Sequence, residues 1–319
     1  MFYAAAVEAA SAQAAPHRPR RLPTDLVEVR CRTALQRVHG MWFAWSLNPY
    51  GGCIHRCTFC YVRAFERRAD RDWGEGYGRS VQVKVNVEEV LRGELARRSW
   101  RRELVAIGSA TDPYQPAEGR YRLTRGCLTA LLQHRTPVSI TTRGPLVIRD
   151  LDLLTELARR VPVTVSVSVP TLDPEVVRTT EPGTAPPRQR LRAVSRLSAA
   201  GIRAGVLMAP ILPGLSDRPE QLAEVARAAA DAGAAFLGAG VLTLAPGTRE
   251  HFLEALRQDH PQLTELYAQL YRGGRRSPAG PGAGIAVSTV TGLRDEFGIA
   301  DRRPAELRPP EAPRQLALL

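Results

Sequence analysis

Short β-branched and apolar runs alternate along this chain with longer stretches of Ala, Leu and Arg, and Gly, Pro or Asp stands at the joins. The apolar runs predict strands near 41–47, 104–109, 137–142, 162–169, 203–209 and 235–243. Apolar residues recurring every three to four positions predict helices near 61–70, 87–98, 121–134, 150–160, 187–200 and 218–232. Strand and helix thus alternate through six βα units, the pattern of a parallel α/β fold. Helices over 249–258 and 261–272, and a strand near 285–290, are expected as additions after the sixth unit. The Gly-, Pro- and Arg-rich stretch from Arg272 to Gly284 reads as a loop.

The expected organisation follows. Residues 1–22, rich in Ala, Pro and Arg, read as a disordered segment. Residues 23–260 form the main domain, 261–303 a C-terminal extension, and 304–319 a flexible Pro-rich tail. At the fourth strand the pattern is strict: Thr164-Val-Ser-Val-Ser-Val169 puts Thr164, Ser166 and Ser168 on one face. A packed parallel strand is ordinarily apolar on both faces. Three hydroxyls on one face therefore point to a polar, ligand-lined interior, or to hydroxyls satisfied by neighbouring backbone.

Composition narrows the class. The 319 residues are 44% hydrophobic, enough for a sizeable core, and no apolar run approaches the length of a membrane span. The basic residues of the N-terminus follow Pro16 instead of leading, the wrong order for a secretory signal, so a cytoplasmic protein without a membrane partner is expected. The net charge of +12 favours anionic partners, nucleic acid included. Lys84 is the only lysine, so an arginine-biased composition with solvated helix faces accounts for the charge equally well.

Three of the five cysteines lie in one loop, Cys53-Ile-His-Arg-Cys57-Thr-Phe-Cys60. So close together they cannot all enter disulfides, but they can converge on one inorganic centre. A cubane iron–sulfur cluster usually takes four thiolates. Three local ligands would leave one iron open to bind something else. Structural zinc, with His55, His39, Cys31 or Cys127 as fourth ligand, and a four-ligand electron-transfer cluster are the alternatives. Cys31 and Cys127 otherwise read as small buried hydrophobes.

With Phe59 before the last cysteine and Tyr61 after it, the loop resembles the cluster motif of the radical S-adenosylmethionine (SAM) superfamily. The resemblance implies a partial (β/α)6 TIM-like barrel, a [4Fe–4S] cluster held by Cys53, Cys57 and Cys60, and SAM chelating the fourth iron. Phe59 would lie beside the adenine, and Tyr61 is a further cofactor-binding candidate. Further segments recur in order: Thr111-Asp112-Pro113-Tyr114-Gln115, Thr141-Thr142-Arg143, Arg149-Asp150, Glu181-Pro182-Gly183-Thr184 with Arg190-Leu191, and Ala209-Pro-Ile-Leu-Pro-Gly214. Over residues 40 to 255 these resemble the branch related to spore photoproduct lyase.

That resemblance assigns Ser109, Thr111 and Asp112, at the end of the second strand, to the region contacting the SAM amino group. Thr142 and Arg143 would meet its carboxylate or ribose, and Ser168 would face the pocket. Glu181 and Arg190 would support the pocket after the fourth strand as ligand contacts or, preferably, as a buried ion pair. One departure stands out. Spore photoproduct lyases carry a catalytic cysteine where this chain has Ser109, and a hydroxyl O–H bond is too strong to quench a carbon radical. Thymine-dimer repair by that route is therefore not expected.

The expected protein is a radical SAM enzyme. It would take its electron from an external one-electron reductant of flavodoxin or ferredoxin type and abstract hydrogen from a substrate the sequence does not identify, with a nucleic acid or nucleotide favoured and a peptide or small metabolite left open. The rivals are a metal-stabilised nucleic-acid binding protein without catalysis and an iron–sulfur electron-transfer protein.

Overall fold

The computed structural model describes residues 23–279 and 282–302, with only the backbone at 282 and 283. The segments expected as a disordered N-terminus and a flexible tail lie outside the described residues.

The chain begins with β1 (Asp25–Val29), β2 (Leu35–Arg37), β3 (Trp45–Leu47) and β4 (Tyr50–Gly51), then α1 (Val62–Arg68), β5 (Ser80–Lys84) and α2 (Val87–Leu95). The alternation continues through β6 (Val105–Ile107), α3 (Ala117–Tyr121), α4 (Leu123–Gln133), β7 (Val138–Thr142) and α5 (Leu151–Ala158). Next come β8 (Val163–Ser168), α6 (Pro174–Thr180), α7 (Pro187–Ala199), β9 (Arg203–Ile211), α8 (Pro219–Asp231) and β10 (Leu237–Val241). Helices α9 (Thr248–Asp259), α10 (Thr264–Leu270) and α11 (Gly282–Glu296) follow.

The main sheet has the order β10-β9-β8-β7-β6-β3-β2. Its six strands from β3 to β10 run parallel, in sequence order, and β2 pairs antiparallel at the edge. The sheet does not close on itself, as the partial-barrel expectation requires. The central strands are apolar toward the helices. Val163, Val165 and Val167 of β8 join Val138 and Ile140 of β7, Leu154 and Leu157 of α5, and Val194 and Leu197 of α7 in the main core. Proline stands in the first turn of α6, α7 and α8, where its missing N–H costs nothing. Asp173 caps α6 by accepting from the amides of Glu175 and Val176.

Three expectations change. The strand near 285–290 is part of helix α11. Ala286, Val290 and Leu293 are spaced by four and three, and they bury against α8 and β10. The helical period prevails over the β-branched Ile285 and Val287, which are exposed. The expected loop through Gly284 accordingly ends where α11 begins at Gly282. The first parallel strand is shorter than 41–47, since Met41 and Phe43 line a cavity ahead of it.

A second sheet was not anticipated: β1-β5-β4, with β1 parallel and β4 antiparallel to β5. Val81 and Val83 of β5 are fully buried while Ser80 and Gln82 face outward, a period-two signal legible in the sequence. Among the described residues no helix is long and apolar enough to cross a membrane.

Candidate cluster and SAM site

The loop that follows β3 and β4 carries the three motif cysteines to the C-terminal ends of the parallel strands, where such sheets place their sites. Cys53 and Cys57 are buried, Cys60 is partly so, and none is in a disulfide. All three line a cavity of about 370 Å³. Among the described residues no three Cys, His, Asp or Glu side chains are grouped as a site for one metal ion. Structural zinc gathers four ligands around a single ion. A cubane distributes its thiolates over separate irons, and all three motif cysteines line the one cavity.

Neighbouring elements fix the loop main chain. The Gly52 carbonyl accepts from Thr111 Oγ1 (2.6 Å) and Gln115 Nε2 (3.3 Å), and the Ile54 amide donates to Gln115 Oε1 (3.0 Å). On the opposite side the Gly183 amide donates to the His55 carbonyl (3.1 Å), and the Thr58 amide to the Thr180 carbonyl (2.9 Å). Two glycines permit this closeness. A Cβ on Gly183 would lie 2.5 Å from the Ile54 carbonyl oxygen. One on Gly78, whose φ is +77°, would lie 2.4 Å from that of Cys53.

Asp112 locks the loop to the sheet. Its Oδ1 accepts from Thr142 Oγ1 (2.6 Å) and the Tyr114 amide (2.9 Å), and its Oδ2 from the Arg143 amide (2.6 Å). His55 Nδ1 lies 3.3 Å from Oδ2. Burial raises the Asp112 pKa, but the His55 charge and these hydrogen bonds outweigh it and hold the carboxylate down at about 2. Burial opposes the charged form of His55, while Cys53 and Asp112 push its pKa up to about 10. The Cys57 thiol is raised by burial, against the lowering pull of Arg143. A metal ion bound at Cys57 would therefore have to displace a proton.

A second buried ionic group stands behind the cavity. Arg143 Nε and Arg190 Nη1 each lie 2.7 Å from a Glu181 oxygen. Burial raises the Glu181 pKa, and the two guanidiniums overcome it, leaving the pKa lowered. Arg190 also donates to the Ala185 and Ser168 carbonyls and to Thr184 Oγ1. Arg143 reaches the cavity as well, with its guanidinium carbon 5.4 Å from the centre of the Phe59 ring.

Residues 47–227 match the family model of the radical SAM superfamily. The chain belongs to the radical SAM superfamily. Rv2578c, an uncharacterized protein of Mycobacterium tuberculosis, is 43% identical over 254 residues, 79% of this chain and 75% of its own length. ORF301, an uncharacterized protein of Acidianus two-tailed virus, is 34% identical over 178 residues, 53% of this chain and 56% of that one. A spore photoproduct lyase variant with bound AdoMet and dinucleoside spore photoproduct has a TM-score of 0.61 at 16% identity, covering 90% of this chain and 85% of its own. A structure of the same lyase complexed with dinucleoside spore photoproduct also has a TM-score of 0.61, at 17% identity, covering 85% and 79%. At that identity the likeness is one of fold.

In this radical SAM protein, eleven of the expected site residues line the one cavity: the three cysteines, Phe59, Tyr61, Ser109, Thr111, Asp112, Thr142, Arg143 and Ser168. Glu181 and Arg190 do not; they form the ionic group behind it. Asp112 and Thr111 reach the cavity with their polar atoms already bonded to protein, so they shape it through the loop. Thr142 Oγ1 likewise accepts from the Gly144 amide while donating to Asp112. Ser109 Oγ accepts from Asn48 Nδ2 (3.2 Å), and its carbonyl accepts from the Tyr61 hydroxyl.

The hydroxyl face of β8 runs through the interior. Ser168 lines this cavity, Thr164 lines a second one of about 380 Å³ reached from the other strand end, and the buried Ser166 Oγ between them has no hydrogen-bond partner. Sequence reasoning placed His55 only as an alternative zinc ligand, and it missed Arg63 and Tyr77. Neither of those belongs to a recurring motif. Their roles depend on where the loop 69–79 folds back, which no local pattern encodes.

Proposed function

We propose that the protein is a radical SAM enzyme that cleaves SAM reductively at a [4Fe–4S] cluster held by Cys53, Cys57 and Cys60. The observation that carries this reading is the convergence of the three motif thiols with Phe59 and Arg143 on one cavity at the strand ends. When bound, the cluster supplies one electron to SAM, and cleavage to methionine yields a 5′-deoxyadenosyl radical that abstracts hydrogen from substrate.

The chain's own residues bind, orient and shield. Arg143 presents a fixed positive charge for the methionine carboxylate, held in place by Glu181. Phe59 and Tyr61 offer ring surface for the adenine, while Ser168 supplies a polar inner wall. The glycine-clamped loop keeps the three thiols in register, and the buried surroundings exclude water from the reacting atoms. Ser109 cannot return a hydrogen atom as a thiol would, so the substrate radical is closed by another donor. A nucleotide or nucleic-acid substrate is favoured by the net charge of +12 and by the shared fold with a lyase bound to a dinucleoside. The electron donor would be a flavodoxin- or ferredoxin-type carrier.

Anaerobic reconstitution with iron and sulfide, followed by dithionite and SAM, tests the reading through 5′-deoxyadenosine measured by chromatography. Its formation in the native protein, and its loss when the three cysteines are replaced together, is the expected result. Iron uptake that survives the triple replacement would overturn it.

A further inference from the structure

Arg63 is an arginine with 2% of its surface exposed, three residues after the last motif cysteine. Its hydrogen bonds go to main-chain carbonyls: Trp73 and Gly74 (both 2.7 Å), Cys57 (3.4 Å) and Arg56 (3.5 Å). Holding a full charge on neutral acceptors in a buried place is costly unless an anion lies nearby. In the cluster reading above, the Cys60 and Cys57 thiolates, which act electrostatically on Arg63, would be such anions.

Tyr77 completes the arrangement. It is also 2% exposed, and it comes from the loop that Arg63 holds through Trp73 and Gly74. The Arg63 guanidinium carbon sits 4.5 Å from the centre of the Tyr77 ring, and the Tyr77 hydroxyl lies 3.6 Å from Cys60 Sγ. Against a metal-bound thiolate, which carries no proton, the phenol is the donor. An ordinary loop needs neither feature. A phenylalanine would fill the same apolar space beside Cys53 and Val62.

We propose that Tyr77 and Arg63 set the reduction potential of the cluster, stabilising its reduced state through a hydrogen bond to the Cys60 thiolate and a fixed buried positive charge. This rests on the cluster reading above. Adding one electron makes the cluster and its three thiolates more negative by one unit. A donor hydrogen bond and a nearby cation favour the more negative state, so both raise the potential. The electron comes from the external one-electron carrier and is passed on to SAM, so the pair eases loading of the cluster and takes no part in bond cleavage. Tyr77 is a positioning and tuning residue, not a catalytic one.

The experiment is a redox titration of the reconstituted full-length protein, followed by electron paramagnetic resonance, comparing native protein with Tyr77→Phe. Iron and sulfide content and thermal stability are measured alongside. Tyr77→Phe should take up the same iron and lower the reduced-to-oxidised ratio at a fixed potential about three- to tenfold, about 30 to 60 mV for a one-electron couple. 5′-Deoxyadenosine formation should then fall more with a weak reductant than with excess dithionite. An unchanged midpoint at equal iron content overturns the proposal. So does a variant that takes up no cluster, which would make Tyr77 structural. Native protein that assembles no cluster is a different result, and it would defeat the functional reading itself.

Discussion

His55 Nδ1 stands 3.3 Å from Asp112 Oδ2, so one buried pair joins the cysteine loop to the strand end that builds the far wall of the cavity. Both partners are almost completely out of water, and Asp112 accepts three further hydrogen bonds. Asp112→Ala would leave the Thr142 hydroxyl, two backbone amides and a buried imidazole without their acceptor. Loss of a buried pair's partner costs about 3–5 kcal/mol. Urea unfolding of the apo-protein should show a loss of that order, and reconstitution should yield fewer irons per chain.

Cys57→Ala removes one of the three proposed thiol ligands from a set with no spare cysteine at the cavity. Iron content after reconstitution should fall to background, and SAM cleavage should vanish with it. Cleavage that persisted would refute the cluster assignment.

Arg143→Ala should separate binding from assembly. Hydrogen bonds to charged groups contribute about 1.5–3 kcal/mol, so SAM affinity should drop roughly 10- to 100-fold. Equilibrium dialysis with labelled SAM measures this, and iron uptake in the same samples should be retained. Unchanged affinity would remove Arg143 from the SAM site.

Gly183→Ala tests the clamp from the opposite side. The added Cβ would sit 2.5 Å from the Ile54 carbonyl oxygen and 2.9 Å from His55 Cα, both main-chain atoms of the cysteine loop. The loop must shift, so reduced iron uptake is expected with little change in far-ultraviolet circular dichroism. Full iron uptake would show that the loop tolerates displacement.

Asp217 gives a pH dependence away from the site. Burial pushes its pKa up to about 6, even though the Gly214 amide donates to it (2.9 Å). The unfolded value is near 3.9, so the favourable contribution is complete below that pH and is lost as the pH rises through about 6. Asp217→Asn keeps an acceptor without the charge. It should stabilise the protein above pH 7 by up to about 3 kcal/mol and have little effect at pH 4, as read from urea midpoints at the two pH values.

Much of this protein is determined by its sequence alone. The six parallel strands and the helices between them follow from periodicity, because burying a β-branched run or an amphipathic stripe is a local demand repeated along the chain. The cluster loop is legible for a similar reason: three thiols within eight residues leave few chemical uses. The β5 alternation was equally legible but brief, and α11 was misjudged because Ile285 and Val287 suggested a strand where Ala286, Val290 and Leu293 define a helix face. Only the tertiary structure decided what the loop leans on. Thr111 and Gln115 hold it from one strand end, Gly183 from another, and Tyr77 reaches it from a loop without a motif that Arg63 of α1 holds in place. It also decided that Arg143 faces the cavity while Glu181 and Arg190 stand behind it. Such pairings join residues far apart in sequence, and their strength comes from the low dielectric made by the whole fold around them.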